Sequence, residues 1–416
     1  MIWLIIIPLA VLAIAIWRPV YGLAAVVLLW PSYLLRGEIA GIPTTVLELS
    51  IYAVATTLII RLLLKKISWQ WPRITTTAWI LISLWIVAWV IATFTAADRE
   101  AALGAFKAWL VDPLIFAALA AIIIKHENDR RIIFNAALLS GAIVALAGLV
   151  QLVGWRSTLQ EGRLSSFFHP VANYAAMYLG PLIAVGLSYL LHRQKKSKFI
   201  WSTVVIMSVA LIFTLSYGGY LAVAAAGLFT WLWLPASRLK NRLLIIALGV
   251  LAAGTFILTQ LPNFKQHFNT ADRSSGLVRT EIWVTSWALI QQHPLVGIGP
   301  NNFEPAYRDE VPKHYWPPLE WLVAQPHNLY LALWLETGLL GLMTFIAMAV
   351  YFFRSVWRRL KTEPDQRAIY ITAMTGVMAA VVHGLVDTPY FKNDLALIFV
   401  FLLLLPWLGR PHGADI

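Results

Sequence analysis

The chain has 416 residues, of which 60% are hydrophobic and 12% are charged, and its mean hydropathy is +0.72. Soluble domains carry about 25% charged residues, so this composition excludes a soluble globular protein and indicates a polytopic membrane protein. The net charge of +12 does not indicate a nucleic-acid partner, because most basic residues lie in short loops between apolar runs, as membrane topology requires. There are no cysteines, which excludes disulfides.

Apolar runs of about 20 residues recur along the chain, and each is long enough to cross the hydrocarbon core of a bilayer. The runs lack the alternation of barrel strands, so the sequence predicts helices. They lie near 2–16, 20–35, 46–64, 76–95, 101–124, 131–153, 171–191, 199–215, 218–234, 242–259, 327–353, 367–386 and 395–409. We therefore predict an all-α, polytopic membrane helical bundle, with 1–416 forming a single transmembrane domain.

The N-terminal region decides the predicted number of spans. Met1–Ile16 has no basic start, so we expect no cleavable signal peptide. It is also short for a full span, which favours about twelve transmembrane helices over thirteen.

Clusters of basic residues occupy every second loop, which assigns those loops to the cytoplasm. The clusters are Arg61/Lys65/Lys66/Arg73, Lys125/Arg130/Arg131, Arg193/Lys195/Lys196/Lys198, Arg238/Lys240/Arg242 and Arg354/Arg358/Arg359/Lys361. The alternation places the remaining loops outside, namely 96–100, 154–170, 215–218, 260–326 and 387–394. The one large outer loop, 260–326, is thus the predicted location of a functional site.

Within this loop, Ser274 or Ser275 can cap an amphipathic helix over about 276–292. Its predicted apolar face holds Arg279 together with Ile282, Trp283, Ser286, Trp287 and Ile290, and the opposite face holds Glu281, Thr285, Ala288 and Gln292. An arginine on an apolar face either snorkels or forms a buried ion pair, or it binds an anion. The sequence alone leaves these alternatives open.

His327 follows Pro326, which suits the first turn of a helix. We therefore expect His327 near the N-terminus of the next span, where free backbone N–H groups and the helix dipole favour a phosphate. The same dipole disfavours imidazolium, so a neutral His327 is expected to accept a proton. The alternative is an interfacial histidine without a catalytic role.

Two other outer segments carry candidate groups. Arg163 and His169 lie in the loop before 171–191, where each can equally contact lipid headgroups. The turn 216–219 contains two glycines, which allow close backbone approach.

Acidic residues are few at the outer side. Asp98 and Glu100 can hold a divalent metal, but a helix start explains them better, because two carboxylates make a poor cage. Glu336 lies within a span and must be paired or protonated, and Asp387, one turn after His383, is a similar case.

The sequence contains no Walker loop, zinc-peptidase motif or nucleophile elbow, so it gives no support to an ATP-driven protein, a zinc peptidase or a serine hydrolase.

These residues form a pattern that resembles the O-antigen ligase family, which also contains O-antigen polymerases and protein O-oligosaccharyltransferases. The pattern covers roughly 160–390 and reads Arg279-x-x-x-Trp283, His293-Pro294-Leu295-x-Gly297-x-Gly299, Phe303, Tyr307, His327-Asn328-x-Tyr330-Leu331 and Glu336-x-Gly338-x-x-Gly341. Arg163 with Asn173, and Thr214-Leu215-Ser216, are similar to weaker family elements.

The resemblance implies a glycosyltransferase of the cytoplasmic (inner) membrane with an outward-facing site. It would move a glycan from undecaprenyl diphosphate to an acceptor hydroxyl, such as a lipid core or another glycan, with inversion and without a metal or cofactor. His327 would be the catalytic residue and Arg279 a diphosphate ligand. The expected substrate-binding residues are Arg163, Tyr217, His169, Asn328, Trp283 and Tyr330.

One position departs from the family pattern. Members usually carry arginine directly after the serine of the 216–219 turn, and Tyr217 stands there, so one of two expected diphosphate-binding arginines is missing. Three alternatives stay open: Arg163 substitutes for it, the protein is a divergent member with altered donor binding, or it is inactive as a ligase. Two rival functions remain: a polymerase joining lipid-linked repeat units, and a transporter with a basic outer vestibule, which would require polar midplane residues and interrupted spans.

Overall fold

The computed structural model describes residues 2–39, 41–65, 74–154, 159, 162–192, 197–234 and 275–409. Its helices are α1 Trp3–Trp17, α2 Pro19–Leu28, α3 Val46–Leu63, α4 Thr76–Thr95, α5 Arg99–Phe106, α6 Asp112–Ile123, α7 Glu127–Gly154, α8 Ala172–His192, α9 Lys198–Phe213, α10 Tyr217–Leu232, α11 Ser275–Gln292, α12 Phe303–Glu310, α13 Leu329–Thr362, α14 Arg367–His383 and α15 Asn393–Leu404. A π-helical segment, Lys107–Val111, joins α5 to α6. The predicted helix at 242–259 and the first part of the predicted outer loop, 260–274, lie outside the described residues.

The prediction of an all-α membrane bundle is confirmed. In the described part of the chain, 6 helices are long and apolar enough to cross a membrane: Val46–Leu63, Thr76–Thr95, Arg99–Ile123, Glu127–Gly154, Ala172–His192 and Leu329–Thr362. Shorter apolar helices accompany them. The total of about twelve spans stays a prediction.

The N-terminal region folds back on itself. Arg18 is extended between α1 and α2, and the two helices pack against each other. Gly22 allows this contact, because a Cβ there would lie 2.5 Å from the Cβ of Ala15. An antiparallel hairpin that the sequence did not indicate follows, with β1 Arg36–Ile39 paired to β2 Ile42–Thr45.

The centre of the bundle is a close contact between α8, α10 and α14. Small side chains make it possible, because Ala184, Ala222, Ala226 and Ala379 form one buried cluster. Small residues let helix backbones approach closely in membrane proteins. Because α14 ends where α8, α10, α13 and α15 begin, residues from several helices meet at this end, which we call the His327 end.

The long helix α13 is interrupted at Gly338, whose φ is 71° and ψ 179°. The segment 295–299, which we call the docking loop, occupies the break. Ile298 N–H donates to the Leu335 carbonyl at 2.8 Å, and Leu339 N–H donates to the Leu295 carbonyl at 3.0 Å. Only glycine fits at 338, since a Cβ would lie 2.4 Å from the Leu295 carbonyl oxygen. The loop therefore satisfies the backbone groups that the interruption frees.

The predicted helix is confirmed as α11, and Ile282, Ser286 and Ile290 of its predicted apolar face are buried. The prediction that the opposite face is exposed is wrong. Glu281 is only 3% exposed, whereas Trp287 is 48% exposed. The reason is that α11 packs against both α12 and α13, so a second layer covers the face predicted to be polar. Glu281 holds that layer, accepting hydrogen bonds from the Tyr307 hydroxyl at 3.1 Å and the Leu319 N–H at 3.0 Å.

Glu310 fixes the end of α12 in a similar way. It accepts hydrogen bonds from Lys313 at 2.6 Å and His314 at 3.0 Å. Burial alone would raise the pKa of Glu310, but hydrogen bonds from Lys313, Gln292 and His314 lower this pKa to about 2. This part of the outer segment is therefore held by an ionised carboxylate.

Candidate active site at the His327 end

His327 lies just outside α13 rather than in its first turn. Its φ is 49°, a left-handed conformation that is uncommon for a residue other than glycine and that clusters at functional sites. Asn328 is the N-cap and accepts from the N–H groups of Tyr330 and Leu331, both at 3.0 Å. The Leu329 N–H donates to the Gly384 carbonyl at 2.7 Å. The N–H groups at the start of α13, predicted to be free for a phosphate, are therefore used at Leu329, Tyr330 and Leu331 by the neighbouring loop and the cap.

The imidazole of His327 pairs with a carboxylate from the end of α14. Its Nδ1 lies 3.1 Å from Asp387 Oδ1, which also accepts the Thr388 N–H at 3.0 Å. Burial alone would raise the pKa of Asp387, but the charge and hydrogen bond of His327 lower it below its ordinary value. An ionised Asp387 places the proton of a neutral imidazole on Nδ1, so Nε2 is left to accept a proton.

Arg279 extends towards the same place from α11. Its side chain is half-buried, and its Nε has no hydrogen-bond partner among the described residues. The guanidinium charge acts on both Asp387 and His383. One turn further along α11, Trp283 Nε1 donates to the Pro326 carbonyl at 3.1 Å. The structure therefore brings Arg279 and His327 to one end of the bundle, as their proposed joint role requires.

The 216–219 turn forms another side of this region. Ser216 is the N-cap of α10, and the following Gly218 lies directly against His383, since a Cβ on the glycine would be 2.9 Å from His383 Nε2. His383 is fully buried and its ring nitrogens have no partner within the described residues. Tyr217 is 47% exposed and occupies the position where the family pattern has arginine.

Arg163 is brought next to Tyr217, and its substitution for the absent arginine stays a prediction. Its charge acts on the hydroxyls of Tyr217 and Tyr220. Its Nε donates to the Thr214 carbonyl at 3.0 Å, and its Nη2 donates to Asn173 Oδ1 at 2.6 Å. The guanidinium is thus held in a fixed orientation beside the turn.

The remaining predicted substrate-binding residues fall into two groups. Asn328 and Tyr330 use their polar atoms within the protein, because Asn328 Nδ2 donates to the Leu385 carbonyl at 2.9 Å and the Tyr330 hydroxyl to the Val381 carbonyl at 3.1 Å. Both therefore tie the start of α13 to the end of α14. His169 is exposed in the loop before α8.

The acidic residues have structural explanations. Asp98 caps α5 by accepting the Ala101 N–H at 3.0 Å, as predicted, and Glu100 lies in the first turn. Glu336 is fully buried and accepts the Asn301 N–H at 2.5 Å, which holds the chain after the docking loop. Within the described residues, no group of three or more histidine or acidic side chains could hold a metal ion.

Sequence reasoning missed the pairing of His327 with Asp387. The available signal was the spacing of His383 and Asp387, which places both at one end of a helix. Nothing in the sequence indicates that this end lies beside residue 327, because the pairing joins positions 60 residues apart.

Comparison of the sequence with known proteins finds O-antigen ligases. Residues 202–346 match the model of the O-antigen ligase family. An O-antigen ligase of Pseudomonas aeruginosa is 24% identical over 286 residues, covering 66% of this chain and 64% of that protein. An O-antigen ligase of Salmonella typhimurium is 23% identical over 367 residues, covering 82% of this chain and 83% of that protein. In sequence the chain is thus similar to O-antigen ligases.

The part that matches the O-antigen ligase model contains Tyr217, Arg279, the docking loop and His327. Arg163 and Asp387 lie outside it, on either side. The family match therefore covers the proposed catalytic pair, whereas Arg163 and Asp387 come from flanking sequence.

Proposed function

We propose that this protein is a glycosyltransferase of the O-antigen ligase type. It transfers a glycan from undecaprenyl diphosphate to an acceptor hydroxyl at the outer face of the cytoplasmic membrane. The observation that carries the proposal is the convergence at the His327 end of a carboxylate-paired imidazole and a half-buried arginine. The names of the two relatives support the same reaction class.

In this reaction His327 is the general base. Nε2 takes the proton of the acceptor hydroxyl while its oxygen forms a bond to the anomeric carbon, and the bond from that carbon to the diphosphate oxygen breaks. The configuration inverts because a single displacement occurs. Asp387 keeps the imidazole in the required tautomer and stabilises the imidazolium that forms, as the carboxylate does in His–Asp pairs of other enzymes.

Arg279 binds the departing diphosphate. A guanidinium presents planar donors that match phosphate oxygens, and Arg279 Nε, which has no hydrogen-bond partner among the described residues, has donor capacity to use. Placing this charge where the leaving group becomes more negative stabilises the transition state. Arg163, oriented beside Tyr217, contributes a second cation to the same leaving group.

We assign Trp283, Asn328 and Tyr330 a positioning role rather than direct contact with substrate. Each uses its polar atom on a backbone carbonyl of the 326 or 381–385 segments. Together they hold the left-handed His327 between α11 and α14. His169 remains a candidate contact for the acceptor or for lipid headgroups.

The test is transfer by the purified protein from a lipid-linked glycan to an acceptor. His327→Ala and Arg279→Ala should each lower the rate by on the order of a hundredfold or more. The matched control for Arg279 is Arg308→Ala, which removes an exposed arginine of the same outer segment. Retained transfer by a folded His327→Ala variant excludes the base role.

The rival polymerase reaction uses the same residues and differs only in the acceptor. Incubation with the lipid-linked donor alone distinguishes them, because chain growth without a second acceptor identifies a polymerase.

The transporter hypothesis requires interrupted spans, and α13 has one at Gly338. The freed backbone groups bind the docking loop, however, and so do not line a substrate path. Substrate flux without glycosidic bond formation is the result that favours transport.

A further inference from the structure

Lys392 stands at the His327 end without an assigned role. It is the residue before α15, and its ammonium nitrogen lies 4.8 Å from the centroid of the Tyr174 ring. Tyr174 is in the first turn of α8, directly after Asn173, whose side chain accepts from Arg163 at 2.6 Å. Lys392 and Arg163 therefore flank consecutive residues at the start of one helix.

The Lys392 segment is held firmly. Phe391 is fully buried, and the Tyr390 hydroxyl donates to the Trp109 carbonyl at 2.7 Å. The backbone of Lys392 is thus fixed by its two predecessors, while its long side chain stays partly exposed. A lysine on such an anchor presents a mobile charge at a defined place.

The ammonium group has no carboxylate within ion-pair distance in the described part of the chain. Its charge acts on Glu336 and Asp394, each of which accepts one backbone N–H, from Asn301 and Leu395 respectively, but neither forms an ion pair with the ammonium group among the described residues. A partly buried cation gains most from an anion that reaches it, because removing charge from water without a partner is costly.

We propose that Lys392 binds a phosphate group of the substrate, acting with Arg163 and Arg279 around the His327–Asp387 pair. This inference rests on the proposed function. A diphosphate leaving group carries more than one negative charge, and a single arginine neutralises only part of it. Lysine is a common phosphate ligand, acting as a point charge. The phosphate belongs either to the undecaprenyl diphosphate donor or to a phosphorylated lipid acceptor.

The experiment measures binding of undecaprenyl diphosphate, without a glycan, to the purified chain in detergent, with uncharged undecaprenol as the comparison lipid. Lys392→Gln should weaken binding of the diphosphate by roughly tenfold or more, the effect of losing a charged hydrogen bond, without changing undecaprenol binding. Lys392→Arg should restore most of the affinity. Lys361→Gln, which removes an exposed lysine at the other end of α13, should change neither.

Steady-state transfer then identifies the source of the phosphate. A raised KM for the donor, matching the lost affinity, assigns the donor diphosphate. Unchanged donor binding with a raised KM for a phosphorylated acceptor, but not for its dephosphorylated form, assigns the acceptor. If Lys392→Gln leaves donor binding and both KM values unchanged, the inference is wrong.

Two further variants separate failure of this inference from other failures. Lys392→Met keeps the apolar stem over Tyr174 and serves if the glutamine variant does not fold. His327→Ala should keep diphosphate binding and lose transfer, so transfer by that variant overturns the proposed function whatever Lys392 binds.

Discussion

Replacing Asp387 separates the two tasks assigned to it. In Asp387→Asn the amide oxygen can still accept from His327 Nδ1 and from the Thr388 N–H, at the 3.1 and 3.0 Å positions of Oδ1. The tautomer of His327 is then kept, and the charge that stabilises the imidazolium is lost. Asp387→Ala removes the acceptor as well, so the ring loses its orientation.

The expected losses follow from these differences. A hydrogen bond to a charged group contributes about 1.5–3 kcal/mol and a neutral one about 0.5–1.5 kcal/mol. The difference of roughly 1–1.5 kcal/mol corresponds to about a tenfold lower rate for Asp387→Asn, at about 1.4 kcal/mol for each factor of ten. For Asp387→Ala we expect a loss on the order of a hundredfold or more, close to that of His327→Ala.

Asp394→Asn is the matched control. Asp394 is 1% exposed and Asp387 2%, each has an unpartnered Oδ2 among the described residues, and each accepts the N–H of the next residue. A cost of burying an amide should therefore appear in both variants, whereas the catalytic loss should appear only at 387.

The assay is the rate of glycan transfer by purified variants whose fold is checked by thermal unfolding. In the His327→Ala background, Asp387→Ala should cost little further activity, because residues that act as one unit are not additive. Equal losses for the two asparagine variants, or additive losses in the double variant, would refute the pairing.

Three further predictions concern packing and pH. Gly338→Ala should destabilise the fold by about 1–3 kcal/mol, because φ is 71° and a Cβ would clash with the docking loop. Gly104→Ala, where no described atom lies within 4 Å of the added Cβ, should not destabilise it. Urea unfolding compares the two variants. Gly218→Ala in α10 should displace His383 and lower transfer at unchanged expression. Gly227→Ala, also in α10 but with no described atom within 4 Å of the added Cβ, should leave transfer unchanged. Glu310 has a folded pKa of about 2 against an ordinary 4.5, so its stabilisation is present above pH 4.5 and is lost as the pH falls towards 2. The unfolding temperature of Glu310→Gln should therefore be lower than that of the unchanged protein at neutral pH, and the difference should shrink on acidification.

Much of the helical framework could be predicted from local sequence. Apolar length fixes where helices lie, which is why the bounds of α4, predicted as 76–95, agree with Thr76–Thr95. Capping residues gave the start of α5 at Asp98. The break at Gly338 could not be predicted, because the glycine is needed only where the docking loop, some 40 residues earlier, comes within contact.

The sequence by itself determined that this is an all-α membrane protein and, through its arginine and histidine motifs, which residues to examine. Both follow from short-range properties: apolar length, residue type and spacing. Only the tertiary structure decided that Glu281 is buried, that the N–H groups near His327 are used by Asn328, and that His327 pairs with Asp387. Those outcomes depend on which helix ends become neighbours, and a contact between positions 60 residues apart is set by packing of the whole bundle rather than by any local pattern.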